Sequence, residues 1–137
     1  MFDGLHISAS AMTAESLRLG VIANNLANAD TLVTPQGGPY RRQFVVMTPR
    51  PAPTQGTNQG IGQGVVVSQV LNDPSPLKPV YSPNSPYANA QGYVMYPNVH
   101  LSVEMVDMID ASRAYQANVT AFQAAKTMNL KALTLGA

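Results

Sequence analysis

The sequence contains no cysteine. Disulfides, thiolate zinc sites and a cysteine nucleophile are therefore excluded, and the redox compartment is left open. Tryptophan is also absent, and aromatic residues make up only 7%. Charge is scarce: Asp, Glu, Lys and Arg together reach 11%, and the net charge is +1. Ordinary domains carry about a quarter charged residues. No strong field remains here to attract nucleic acid or an anionic membrane. No run approaches the roughly 20 apolar residues of a membrane span. The opening stretch, MFDGLHISASAMTAESLRLG, has no early basic cluster, and Asp3, Glu15 and Arg18 interrupt its apolar residues. It does not read as a Sec leader, so export without signal cleavage is the expectation.

Proline is missing from the ends, and with most of the glycine it is crowded in the middle. All 11 prolines lie in residues 31–97, with 7 of the 10 glycines. Residues 99–135 contain neither. That spacing predicts one long helix, reaching on the order of 50 Å, with Asn98 as a candidate N-cap and Gly136 as a candidate stop. Glu104, Asp107 and Asp110 sit towards its start and Lys126 and Lys131 towards its end, a polarity that suits the helix macrodipole.

Two apolar seams run side by side along it. One carries large residues: Leu101, Met105, Met108, Tyr115, Val119, Phe122 and Leu133. The other carries mostly small ones in heptad steps: Ala111, Ala114, Asn118, Ala121, Ala125, Met128, Ala132 and Leu135. A helix in a simple hairpin needs one apolar stripe. This wider sector suits either a core helix of one bundle or a helix packed on several neighbours, some from other chains.

Residues 4–29 read as a first helix. Leu5, Met12, Leu19 and Leu26 recur every seven residues, and Ile22 and Ala29 continue the partner position. Gly20 weakens its middle by about 1 kcal/mol relative to Ala. Its polar end holds Asn24, Asn25 and Asn28. These fit a fraying terminus, or amides that bond across packed helices and fix register.

Between the helices, Gln43–Thr48, Gly64–Leu71 and Gly92–Tyr96 read as short strands. The intervening stretches 48–64 and 72–91, rich in Pro, Gly, Ser, Asn and Gln, read as loops. The predicted fold is α+β: two long terminal helices forming an antiparallel coiled coil, with a small Pro/Gly-rich β unit inserted. Residues 1–30 and 98–137 form the helical domain and 31–97 the insertion. In the simplest pairing Leu5 faces Leu133, and Leu26 faces residues 110–113. Residues 99–108 then overhang towards the β unit, and the free monomer is expected to keep its terminal helices partly disordered.

No catalytic constellation emerges. His6 and His100 fall at opposite ends of the helix pair, and His100 with Glu104 is a weak metal pair. The Gly-Gly at 37–38 and the GxGxG at 60–64 lack the lysine and helix start of a phosphate loop. Arg41-Arg42 is the one paired basic site, too small for a nucleic-acid stripe, and suits a salt bridge with a neighbour. Catalytic, cofactor-binding and metal-ligating residues are expected to be absent. The residues expected at assembly or helix interfaces are Leu5, Met12, Leu19, Ile22, Asn24, Asn25, Leu26 and Asn28 of the first helix. In the second they are Met108, Ala111, Ala114, Tyr115, Asn118, Val119, Ala121, Phe122, Ala125, Met128, Ala132 and Leu133. Arg41 and Arg42 join them.

Two segments resemble the axial proteins of the bacterial flagellum, the rod and hook group. One is VIANNLANADT at 21–31, similar to that group's Asn-rich motif ending in ANxxT. The other is Glu104–Gly136. Together they cover about a third of the chain. Three further stretches, TPQGGPYRR at 34–42, DPSPLKPVYSPNSPYA at 73–88 and GYVMYPNV at 92–99, are similar to the proximal rod members. The Ser-Asn-Ser at 82–85 around Pro83 departs from their usual acidic residue or glycine.

The resemblance implies a structural subunit exported through the flagellar type III apparatus and polymerised in the periplasm into a torque-transmitting tube around a channel. Its implied partners are copies of itself, other proximal and distal rod proteins, the basal junction protein with the membrane ring, and the export apparatus. No cofactor, nucleic acid or direct membrane span is implied. A distal rod, hook or secretion-needle subunit and a periplasmic cell-wall enzyme are the alternatives, and the middle segment favours the proximal rod.

Overall fold

The computed structural model describes residues 3–51 and 63–135. Its elements are α1 (Asp3–Ala27), β1 (Gln43–Pro49), β2 (Val65–Asn72), β3 (Lys78–Tyr81), β4 (Tyr93–Tyr96) and α2 (Leu101–Leu135). The chain is α+β, with two helices and two small antiparallel sheets. Most of the loop expected at 48–64, its GxGxG run apart from Gly64, and the Gly136 stop lie outside the described residues.

Both helices form where Pro is absent; α2 lacks Gly as well, and α1 passes through Gly4 and Gly20 unbroken. The α2 helix begins at Leu101, with its first-turn bond from the Glu104 N–H to the His100 carbonyl at 3.0 Å. Asn98 is therefore no N-cap; its side chain is committed to other segments, as described below.

The middle differs from the single β unit expected. β1 pairs with β2 from Gln43↔Asn72 to Pro49↔Val65, with an irregularity between Val46 and Met47. β3 pairs with β4 from Lys78↔Tyr96 to Tyr81↔Tyr93. β3 falls where a loop was expected, because Pro79 argues against a strand. Proline is confined to sheet edges, and in a two-stranded sheet each strand is an edge. The β1–β2 sheet packs on α1, whereas β3–β4 touches no other helix or strand among the described residues. Its closing turn needs Gly92 at φ +82, where an added Cβ would lie 3.0 Å from the Tyr81 ring.

One close approach fixes β1–β2 against α1. The Val65 N–H donates to Ser10 Oγ at 3.1 Å, and Ser10 Oγ donates to the Ile7 carbonyl at 2.7 Å. A Cβ on Gly64, which has φ +93, would stand 2.2 Å from that oxygen. Only glycine permits both the backbone angle and the contact.

The helices run in opposite directions. Asn25 near the end of α1 meets Glu104 in the first turn of α2, and Met12 and Ser16 share a groove with Tyr115. This register differs from the expected one by about one heptad. Residues 99–108 do not overhang. Extrapolated along the pair, the last two turns of α2 pass beyond the described start of α1, and residues 130–135 are all exposed. The reason is that heptad seams match themselves after a seven-residue slide, so apolar spacing alone does not choose between the two.

The buried stripe also threads between the two seams read from sequence. On α2 only Glu104 and Ala111 are buried, and Met108, Asn118, Phe122 and Ala125 continue the stripe half-buried. On α1 the buried positions are Ser8, Ala14, Ile22 and Asn25, while Leu5, Met12, Leu19 and Leu26 lie half-buried on the flank. Among the described residues the fully buried apolar side chains are few: Ala14, Ile22, Val94 and Ala111.

Candidate functional site

The most organised chemistry lies where α1 ends, β1 begins and α2 starts. After α1 the chain turns back through TPQGG. Gly37 and Gly38 take φ +87 and +78, and the Gly37 N–H closes on the Thr34 carbonyl at 2.9 Å. The Tyr40 N–H then bonds the Thr31 carbonyl at 3.0 Å. That reversal delivers Tyr40, Arg42 and Gln43 to the end of α1.

Asn25 is fully buried and fully used. Its Nδ2 donates to the Gln43 carbonyl at 2.8 Å and to Glu104 Oε2 at 3.0 Å. Its Oδ1 accepts from the Gln43 N–H and from the Tyr40 hydroxyl, both at 2.9 Å. The side-chain amide thus serves the first residue of β1 as a neighbouring strand would. A buried amide is tolerable only when its donors and acceptors are met in this way.

Glu104 is also 0% exposed. Its second oxygen accepts from Arg42 Nε. Arg42 spreads over three carboxylates, with Nη2 at 3.2 Å from Asp107 and Nη1 at 3.6 Å from Asp73. The planar fork of arginine makes this three-way contact possible. Burial works against the charged guanidinium, but the Glu104 hydrogen bond and the charges of Glu104, Asp107 and Asp73 outweigh it and raise its pKa. Asp73 is held below the usual carboxylate range, first by the Ser75 hydroxyl and N–H and then by Arg42. Burial, followed by the Glu104 charge, pushes the Tyr40 phenol up, and the Asn24 hydrogen bond opposes them.

Asn98 closes the junction. It accepts from the Arg42 N–H at 2.8 Å and donates to the carbonyls of Asp73 and Ser75 at 3.3 and 3.2 Å. Small hollows of about 250 and 360 Å³ flank Arg42. Among the described residues, no three His, Cys, Asp or Glu side chains cluster as a metal would require. What this arrangement does chemically is join segments.

Of the residues singled out from sequence, the junction gathers Asn24, Asn25 and Arg42. Asn24 Nδ2 donates to the Tyr40 hydroxyl at 3.1 Å, while Asn28 stays local, bonding Asn24. Arg42 finds its ion pairs inside its own chain, and exposed Arg41 bonds only the Ser75 carbonyl, at 3.3 Å. Ile22 and Ala111 are buried within the chain, as Asn25 is. Ala114, Asn118, Val119, Phe122, Ala125 and Met108 are half-buried, and Tyr115, Ala121, Met128, Ala132 and Leu133 are exposed. Sequence reasoning missed Glu104, Asp107, Asp73, Tyr40 and Asn98. One signal was available: Glu104 is the single charged member of the heptad series that continues through Ala111, Asn118, Ala125 and Ala132.

A second feature is apolar surface left open on α2. Leu101, Met105, Val106 and Ile109 are exposed at its start, and Met128, Leu130, Leu133 and Leu135 at its end. Among the described residues no helix is long and apolar enough to cross a membrane.

Comparison with known proteins matches both ends of the chain to family models. Residues 5–32 match the flagella basal body rod protein model. Residues 90–135 match the flagellar basal body rod FlgEFG protein C-terminal model. Among curated relatives, the flagellar basal-body rod protein FlgC of Borreliella burgdorferi is 44% identical, over 98% of this chain and 97% of its own. The FlgC proteins of Escherichia coli and Bacillus subtilis are 48% and 42% identical, each over at least 95% of this chain and 93% of their own.

Proposed function

The chain belongs to the family of flagellar basal-body rod protein FlgC, and from that premise we propose how its geometry serves the rod. It is a structural subunit of the proximal rod of the flagellar basal body. In our reading α1 and α2 form an antiparallel coiled coil, and residues 1–30 and 98–137 are the polymerising domain. Residues 31–97 stand as the outward insertion. The subunits build a tube around the export channel and carry torque along it, without catalytic activity and without a cofactor. Their neighbours are copies of this chain, other proximal and distal rod proteins, and the junction with the membrane ring. Delivery is through the flagellar export apparatus into the periplasm.

One observation carries this reading: α2 exposes large apolar side chains at both ends that the other described residues do not cover. Contiguous exposed apolar surface of this kind marks a protein interaction site. The outer face of α1 adds support. Ala9, Thr13, Ser16, Gly20, Ala23 and Ala27 follow a heptad of small residues, all but Ala9 exposed. Small residues let helix backbones approach closely, and dense packing resists shear. The junction around Arg42 then holds the insertion rigidly on the helices, so a load on one reaches the other.

The test replaces the chromosomal copy with a Leu133→Asp variant. The isolated chain is expected to keep its circular dichroism spectrum, because Leu133 touches solvent. Basal bodies from those cells are expected to lack a complete rod. Intact rods containing the variant would overturn the proposal.

A further inference from the structure

The α2 side of the helix seam repeats almost perfectly every seven residues. Its large positions are Met108, Tyr115 and Phe122, and its small or polar positions are Ala111, Asn118, Ala125 and Ala132. A slide of one heptad puts Tyr115 and Phe122 at the places of Met108 and Tyr115, sets small on small, and brings Asn129 to the place of Phe122. Glu104 alone breaks the small series, and it is the member that enters the buried junction with Asn25 and Arg42. After a slide Ala111 would occupy that place, and the bonds of Asn25 and Arg42 to Glu104 would go unmade, which buried polar groups resist.

We propose that this seam has a second register one heptad away, and that Glu104, held by Arg42 and Asn25, is the latch that keeps the helices out of it. The inference stands on the packing of this chain alone and is independent of its role in a rod. In the second register α2 moves about 10 Å along α1. The exposed end around Met128 and Leu133 is drawn against the start of α1, and the first turns of α2 project past its end. The apolar overhang changes ends.

The connections allow that movement. α1 packs on β1 and β2, while among the described residues the backbone of β3–β4 approaches no other helix or strand. The β3–β4 hairpin therefore travels with α2. The five residues between β2 and β3 can reach about 17 Å when extended. Apart from the seam, the described links between the two halves pass through the junction: Arg42 to Glu104 and Asp107, and Asn98 to Arg42, Asp73 and Ser75.

Because the chain lacks cysteine, two introduced thiols can be labelled cleanly. Spin labels at Ala23→Cys and Thr127→Cys, both on exposed positions, report the axial offset of the helices by pulsed dipolar spectroscopy. With the native junction a single distance is expected. Moving the latch by Glu104→Ala with Ala111→Glu is expected to shorten that distance by about 10 Å. Removing it from both sides by Arg42→Ala with Glu104→Ala, which leaves the partly exposed Asp73 and Asp107 without their cation but no buried charge, is expected to give both distances in one sample. The native distance alone in both variants, with helicity retained, overturns the proposal. Loss of the helices in both variants overturns it as well, since the seam would then have no second register to adopt.

Discussion

Asn25 and Glu104 lie 79 residues apart in the chain and share a 3.0 Å hydrogen bond with both side chains wholly buried. The bond ties the end of the first helix to the start of the second. Through Arg42 it also ties both to the first strand. A chain with so few buried apolar side chains places much of its structural specificity in this polar contact.

Glu104→Ala removes one partner and leaves the Arg42 guanidinium and the Asn25 amide facing a void. Breaking a buried pair from one side typically costs about 3–5 kcal/mol. The variant is expected to lose stability of that order in urea denaturation. Arg42→Ala in the same chain is expected to recover part of the loss, because the uncompensated charge goes with it. Equal losses in the single and double variants would show that the two side chains are not coupled.

Two glycines are expected to respond in opposite directions. Gly64 has φ +93 and Ser10 Oγ against its α-carbon, so Gly64→Ala should destabilise the chain and detach β2 from α1. Gly20 sits inside a helix with open space where a Cβ would go. Gly20→Ala is expected to raise the stability of the isolated chain by up to about 1 kcal/mol. Gly20→Leu should leave that chain folded and yet interfere with rod assembly, if a neighbouring backbone passes close to this face. Thermal melts of the isolated variants, set beside basal-body yields, check both.

Stability should fall at both ends of the pH range. Asp73 has a folded pKa below its usual value, held there by Ser75 and Arg42. Its contribution is present above the ordinary carboxylate range and is lost as pH falls through the folded value. Tyr40 has a raised pKa, from burial and the Glu104 charge. Its contribution is present below the ordinary phenol range and is lost as pH rises through the folded value. Asp73→Asn should flatten the acid limb of a stability–pH curve, and Tyr40→Phe the alkaline limb. An unchanged limb in either variant counts against that assignment.

Asn98→Ala should free the segment after β2 from the start of α2. Three hydrogen bonds are lost; the Arg42 N–H and the Asp73 carbonyl lose this partner, while the Ser75 carbonyl keeps Arg41. Unmet buried groups cost about 1–3 kcal/mol each, less here where water reaches the site. Amide exchange at Arg42 should accelerate while exchange in the middle of α2 stays slow.

The sequence by itself determined the helices and most of the strands. With no proline or glycine between residues 99 and 135, little competes with a helix there, and α2 runs from Leu101 to Leu135. The β-branched runs FVV and GVVV became paired strands because their neighbours are turn formers. Pro79 hid β3, since a proline argues against a strand until the strand is known to be an edge. Only the tertiary structure decided the register of the helix pair and the place of Glu104. Heptads are indifferent to a seven-residue slide, and a carboxylate near a helix start reads equally well as a partner of the helix dipole. What separates the possibilities is a set of contacts among residues 25, 42, 73, 98 and 104. No local pattern links positions so far apart, and their meeting became visible only when the chain was folded.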